Sequence, residues 1–218
     1  MRPLFYLTLL LGSTTLYAQT FQQELGQALG QFAQAQSPEQ LSRSVEVFSK
    51  LSESEGATWH ANYYAAFATI VQSFRTEDVK ERDRLVDEAQ SALDVAISAG
   101  ADETEATALQ ARLNQARISI NPVRRSMLYG PNTLGMLFPA KAKAPNNPRI
   151  LLLLAQTVER TPAMYGGGPE KALGLARASV EAFKNWTSND PFAPQWGADE
   201  ATTLLHRLDT TVAKTKKK

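Results

Sequence analysis

The chain contains no cysteine. That excludes disulfides, a thiolate nucleophile, cysteine zinc sites and a lipid anchor attached at a leader cysteine. Histidine occurs only at His60 and His206, and neither sits in a His-Glu-x-x-His pair, so the common helical zinc motif is missing. No Gly-x-Ser-x-Gly elbow is present for a serine nucleophile. An excess of one charge is missing too. Lys and Arg number 23 against 22 Asp and Glu, and such a balance speaks against the basic stripe of a nucleic-acid binder. No window shows the period-two alternation of β-branched residues that a strand needs.

What is present starts with a leader. Arg2 supplies a positive start, Leu4 to Gly12 is apolar except for Thr8, and Ser13 to Ala18 is a stretch of small and mixed residues. That is the form of a secretory signal cut after Ala18. The apolar core is shorter than the ~20 residues of a spanning helix, and no later run approaches that length. The expected organisation is a signal peptide over 1–18, one helical-repeat domain over 19–213 and a disordered basic tail over 214–218. The expected location is periplasmic or secreted, without membrane insertion after cleavage. With 43% hydrophobic and 21% charged residues over the whole sequence, the composition is that of an ordinary globular chain, and the part after the leader is long enough to bury a core without covalent staples.

Helical periodicity runs through it. Phe21, Leu25, Leu29 and Phe32 mark a helix over 20–35. Ser37-Pro38-Glu39-Gln40 opens a second, with Ser37 as cap and Pro38 in the first turn. Thr58 is placed to cap a third, striped by Trp59, Tyr63, Phe67, Ile70 and Phe74. A fourth carries Leu85, Ala89, Leu93 and Ala96 and ends at Gly100. The fifth covers about 102–119 and stops at Asn121-Pro122. Val123 to Asn132 reads as a loop, with a short helical turn at Ser126-Met127-Leu128. A sixth helix spans 133–144, Pro139 bending it. Asn146-Asn147-Pro148 starts a seventh, and Gly166-Gly167-Gly168-Pro169 leads into an eighth. Residues 190–197 form a packed loop, and a last helix covers about 198–213.

The second helix of each pair repeats a spacing of four then three: Ser44, Phe48, Leu51; Ala89, Leu93, Ala96; Thr133, Leu137, Ala140; Ala172, Ala176, Ser179. Small residues there let two helices approach closely, and overpacking them costs ~1–3 kcal/mol. This pattern resembles the tetratricopeptide repeat, with Pro145 as its terminal proline and Trp59 at its tryptophan position. The starts at 44, 89, 133 and 172 are more widely spaced than the family's period of about 34 residues, and its Leu-Gly pair is absent. The resemblance implies an all-α, right-handed array of antiparallel helical hairpins, a tetratricopeptide-like α-solenoid, with a C-terminal capping helix. Asn147-Pro148-Arg149, Thr161 to Gly168 and Trp196-Gly197 also look like those of exported tetratricopeptide-like proteins of Gram-negative bacteria, a resemblance that implies fold and compartment rather than chemistry.

No cofactor, metal site or catalytic set follows from the spacing. Glycine amides before a helix can cradle an anion, yet Gly166 to Gly168 follow a helix rather than a strand and lack the P-loop pattern. A tight structural loop is the expectation, with at least one glycine at positive φ and Met164 or Tyr165 folded back onto the helices. First helices of repeat pairs line a concave face, and aromatic and arginine side chains anchor interfaces. The candidate contact residues are therefore Trp59, His60, Tyr64, Arg149 and Tyr165. The function expected is a non-catalytic scaffold for a protein or peptide. The alternatives are a carbohydrate-acting enzyme with a converging carboxylate pair and a small-ligand binder using the groove.

Overall fold

The computed structural model describes residues 5–54 and 56–215, with side chains from residue 19 onward. Of the expected leader, residues 1–4 lie outside the described residues, as do 216–218 of the basic tail. The described residues form nine α-helices and one 3-10 turn, with no strand among them. They are α1 (Phe5–Ala33), α2 (Pro38–Ser52), α3 (Trp59–Arg75), α4 (Val79–Ser98), α5 (Glu103–Ile120), α6 (Pro122–Lys143), α7 (Pro148–Arg160), α8 (Pro169–Lys184) and α9 (Ala198–Thr215). The 3-10 turn, Ala163–Tyr165, lies between α7 and α8. The chain divides into two compact units at Ala101.

Helix starts follow the sequence signals. Ser37 Oγ accepts from the Gln40 amide and the Gln40 side chain answers at the Ser37 amide, a reciprocal capping box. Asp78, Asp102 and Asn147 cap α4, α5 and α7 through their side-chain oxygens. Thr58 precedes α3 without capping it; its hydroxyl lies 2.8 Å from His60 Nδ1 instead.

In the first unit, α1 packs on α2, α2 on α3 and α3 on α4. Its core is aromatic. Phe32 meets Phe48 and Phe67 edge-on, and Phe48 stacks on Tyr64. In the second unit, α7 is the axis: it packs against α5, α6, α8 and α9, and Pro148 through Val158 are all buried. Its apolar run Ile150 to Ala155 lies in the core, and the polar residues buried with it, Arg149, Gln156 and Thr157, are hydrogen-bonded. The four-then-three spacing marks the packed faces. The residues buried on α6 are Thr133, Leu137 and Ala140, and those on α8 are Ala172, Ala176 and Ser179.

One expected loop is helix. Residues 123–132 belong to α6, which runs from Pro122 through Pro131 and Pro139 to Lys143. Asn121 ends α5 and caps α6, its Oδ1 accepting from the Arg124 amide at 3.2 Å. Pro131 and Pro139 are both exposed. The carbonyls that each proline deprives of a partner therefore stand toward water, which lowers the usual cost of a proline within a helix.

Candidate functional site

Trp59, His60 and Tyr64 come together, but inside the first unit. The His60 ring stacks on Trp59 with centroids 3.8 Å apart, and Trp59 meets Tyr63 edge-on at 5.6 Å. His60 and Tyr64 are buried and Trp59 half-buried. The expected reach of His60 and Tyr64 to a binding surface is thus corrected: Phe48 and the Thr58 hydroxyl take up the groups that would have faced a partner.

Arg149 is likewise corrected. It is 0% exposed and belongs to the core of the second unit. Its Nε and Nη2 donate to the two Glu105 oxygens at 2.6 and 2.7 Å. Asn147 Nδ2 donates to the same carboxylate at 2.8 Å, while its Oδ1 accepts from the Arg149 and Ile150 amides. The guanidinium lies 4.6 Å from the Trp186 ring centre and 5.9 Å from that of Trp196. A buried charge needs this density of partners to offset its desolvation. Nearby, Arg112 donates twice to Glu200, and Gln156 donates once. Burial pushes the Glu200 carboxyl up, but the hydrogen bonds and charge of Arg112, with the Gln156 bond, outweigh it and hold the group below its ordinary value.

Tyr165 is 73% exposed and Met164 stands out beside it, so neither folds back onto the helices as expected. The loop is ordered by its backbone. The Gly166, Gly167 and Gly168 amides donate to the carbonyls of Ala163, Pro162 and Val158. With its amides committed, the loop offers no cradle to an anion. Gly166 and Gly168 hold φ of 85° and 110°, as the tight-loop reading requires. A side chain at Gly167 would put Cβ 2.1 Å from the Thr161 carbonyl oxygen. Arg149 sits in the first turn of α7 and Tyr165 beyond its other end; the helix's 13 residues span roughly 20 Å at ~1.5 Å per residue.

Among the described residues Glu105 is the buried carboxylate, and it is committed to Arg149 and Asn147. No converging pair of buried carboxylates stands among the described residues, and no cluster of three metal-ligating side chains does either. No helix among the described residues is long and apolar enough to cross a membrane.

The surface that sequence reasoning passed over is on α6. Val123 (84%), Met127 (83%), Leu128 (67%) and Phe138 (53%) are large apolar side chains left exposed on one helix. The signal was present in the helical spacing of Val123, Met127, Leu134 and Phe138, but three prolines and two glycines between 122 and 139 read as loop.

The described residues thus form an all-α protein with a charged network in the core of its second unit and large apolar side chains left exposed along α6. No protein-family model matches the chain, and no curated protein does. Among solved structures, the chain is similar to the HusA haemophore from Porphyromonas gingivalis, at 33% identity and a TM-score of 0.75, over 89% of this chain and 94% of that one. With that identity over nearly the whole of both chains, the protein belongs to the family of this haemophore.

Proposed function

We propose that the protein is an exported, non-catalytic carrier of a tetrapyrrole of the haem class. The observation that carries this reading is the 33% identity across 94% of a haemophore chain. Residues 1–18 then serve as the export signal, 19–213 as one right-handed tetratricopeptide-like array closed by α9, and 214–218 as a basic tail, in the periplasm or outside the cell. Absorbance titration of the purified protein with haemin and with metal-free protoporphyrin IX tests it. A saturable, stoichiometric shift of the Soret band is expected with at least one. Spectra identical to those of the free ligands would remove the reading.

A protein or peptide partner is the second reading, and one observation favours it. Met164 and Tyr165 project from a loop whose amides from Tyr165 to Gly168 are each bonded to a backbone carbonyl. A rigid exposed aromatic is an economical contact because little conformational freedom is lost on binding. Tyr165→Ala leaves tetrapyrrole binding unchanged in this reading and weakens a partner complex.

A further inference from the structure

The outer face of α6 is not needed for folding. Its packed side is Thr133, Leu137 and Ala140. At 3.6 residues per turn, Val123, Met127, Pro131, Leu134 and Phe138 succeed one another at spacings of four, four, three and four, which lines them up along the other side. Leu134 leans on the core and the rest of that line is open to solvent. Gly130 and Gly135 border it, and a Cβ built on either meets nothing within 4 Å. The helix backbone is therefore bare on both sides of Pro131. The result is a strip with thioether and aromatic groups toward its ends and a low, flat middle.

Charge adds direction to the strip. From Ala106 through Val158 the chain has no Asp or Glu, and every charged side chain is Lys or Arg. Some of these cations are neutralised from outside the segment: Arg112 by Glu200, Lys143 by Glu103 and Arg149 by Glu105. Arg124 is exposed one turn before Met127 and Leu128, and Lys141 lies one turn beyond Phe138. A cationic end beside a flat apolar strip fits a flat apolar molecule with an acidic edge. It also lacks the continuous apolar face of a helix lying in a membrane surface, because two glycines and a proline interrupt it.

We infer that the α6 strip is the docking face for the tetrapyrrole, the ring lying over Met127, Pro131 and Phe138 and its carboxylates directed at Arg124. This rests on the carrier reading above and assigns its site. The bare backbone at Gly130 and Gly135 lets the ring plane approach the helix, and Met127 adapts to its surface as an unbranched, polarisable side chain.

The test is a Soret titration of the wild-type protein, Met127→Asp, Phe138→Asp and Arg124→Glu, using haemin, protoporphyrin IX and protoporphyrin IX dimethyl ester. Circular dichroism confirms the fold of each variant. The two Asp variants are expected to bind tenfold or more weakly. Arg124→Glu is expected to weaken the dicarboxylate several-fold and to leave the dimethyl ester unchanged. If wild type and all three variants bind alike, the strip is not the site and the carrier reading stands. If wild type binds no tetrapyrrole, the carrier reading fails and this inference with it. Two further results overturn it: a Met127-dependent dimer in ultracentrifugation, which makes the strip a contact with a second copy, or Met127-dependent binding to phosphatidylglycerol vesicles without tetrapyrrole binding, which makes it a lipid contact.

Discussion

α6 and α7 are neighbours in the second unit and use their residues in opposite ways. α7 buries Pro148 through Val158 without interruption. α6 is longer, yet it buries only Thr133, Leu137 and Ala140 and leaves four large apolar side chains in water. Burial of a Leu or Met side chain is worth ~1.5–3 kcal/mol, so the exposed set on α6 is surface that folding has not used. α7 is used on every side by packing and by buried hydrogen bonds. On α6 packing accounts for one side only, and the other side is available to something else.

The largest effect that would break this contrast is in the buried pair on α5 and α7. Arg149→Ala leaves Glu105 charged, buried and alone, an expected loss of ~3–5 kcal/mol. At roughly 2–4 °C per kcal/mol, the melting temperature should fall by about 10 °C. Removing both charges with Glu105→Leu and Arg149→Leu should recover much of that loss. A single variant that melts like wild type would show that α7 is not held by this network.

Overpacking comes next. Ala176→Leu at the fully buried face of α8 should cost ~1–3 kcal/mol, whereas Met127→Leu on the open face of α6 should stay within about 0.5 kcal/mol of wild type in the same denaturant titration. Equal effects at the two positions would erase the distinction between packed and free faces.

Glycines sharpen it further, with opposite signs. Gly167→Ala forces a methyl against the Thr161 carbonyl and should destabilise by about 1 kcal/mol or more. Gly135→Ala enters open space within a helix and should stabilise by ~0.5–1 kcal/mol. Denaturation midpoints of the two variants should move in opposite directions.

These faces were unequally legible. The four-then-three spacing exposes every packed second helix, because burial imposes a period that substitution cannot hide. The Asn147 cap, the Ser37 capping box and the end of α5 are local and were readable for the same reason. The first half of α6 was not, since the cost of a proline depends on whether the carbonyl it deprives faces water, and that is a tertiary fact. Arg149 after a proline reads as a solvent-facing cation. Its partner Glu105 is 44 positions away, and no spacing rule connects them. The aromatic group around Trp59 was legible as core, while the exposure of Tyr64 and His60 depended on which neighbours α2 supplies.

The smallest expected effect is a pH dependence. The folded Glu200 carboxyl is held below its ordinary value by Arg112 against the push of burial. Its stabilisation is therefore complete above the unfolded value near pH 4.5 and is lost as the pH falls through the lower folded value. The pair is partly exposed, so its share is at most about 1 kcal/mol. Glu200→Gln should lower stability slightly at pH 7 and lessen the further drop measured between pH 5 and pH 3. A variant with the same acid dependence as wild type would place the acid sensitivity elsewhere.

The nearness of Arg149 to two indoles also makes the protein its own optical label. Trp186 and Trp196 share one buried cation in the second unit, and the remaining tryptophan, Trp59, stands in the first. Loosening around Arg149 admits water to two emitters at once, while Trp59 follows the aromatic cluster of the first unit. Trp59→Phe silences one half, and the emission that remains reports the other half alone.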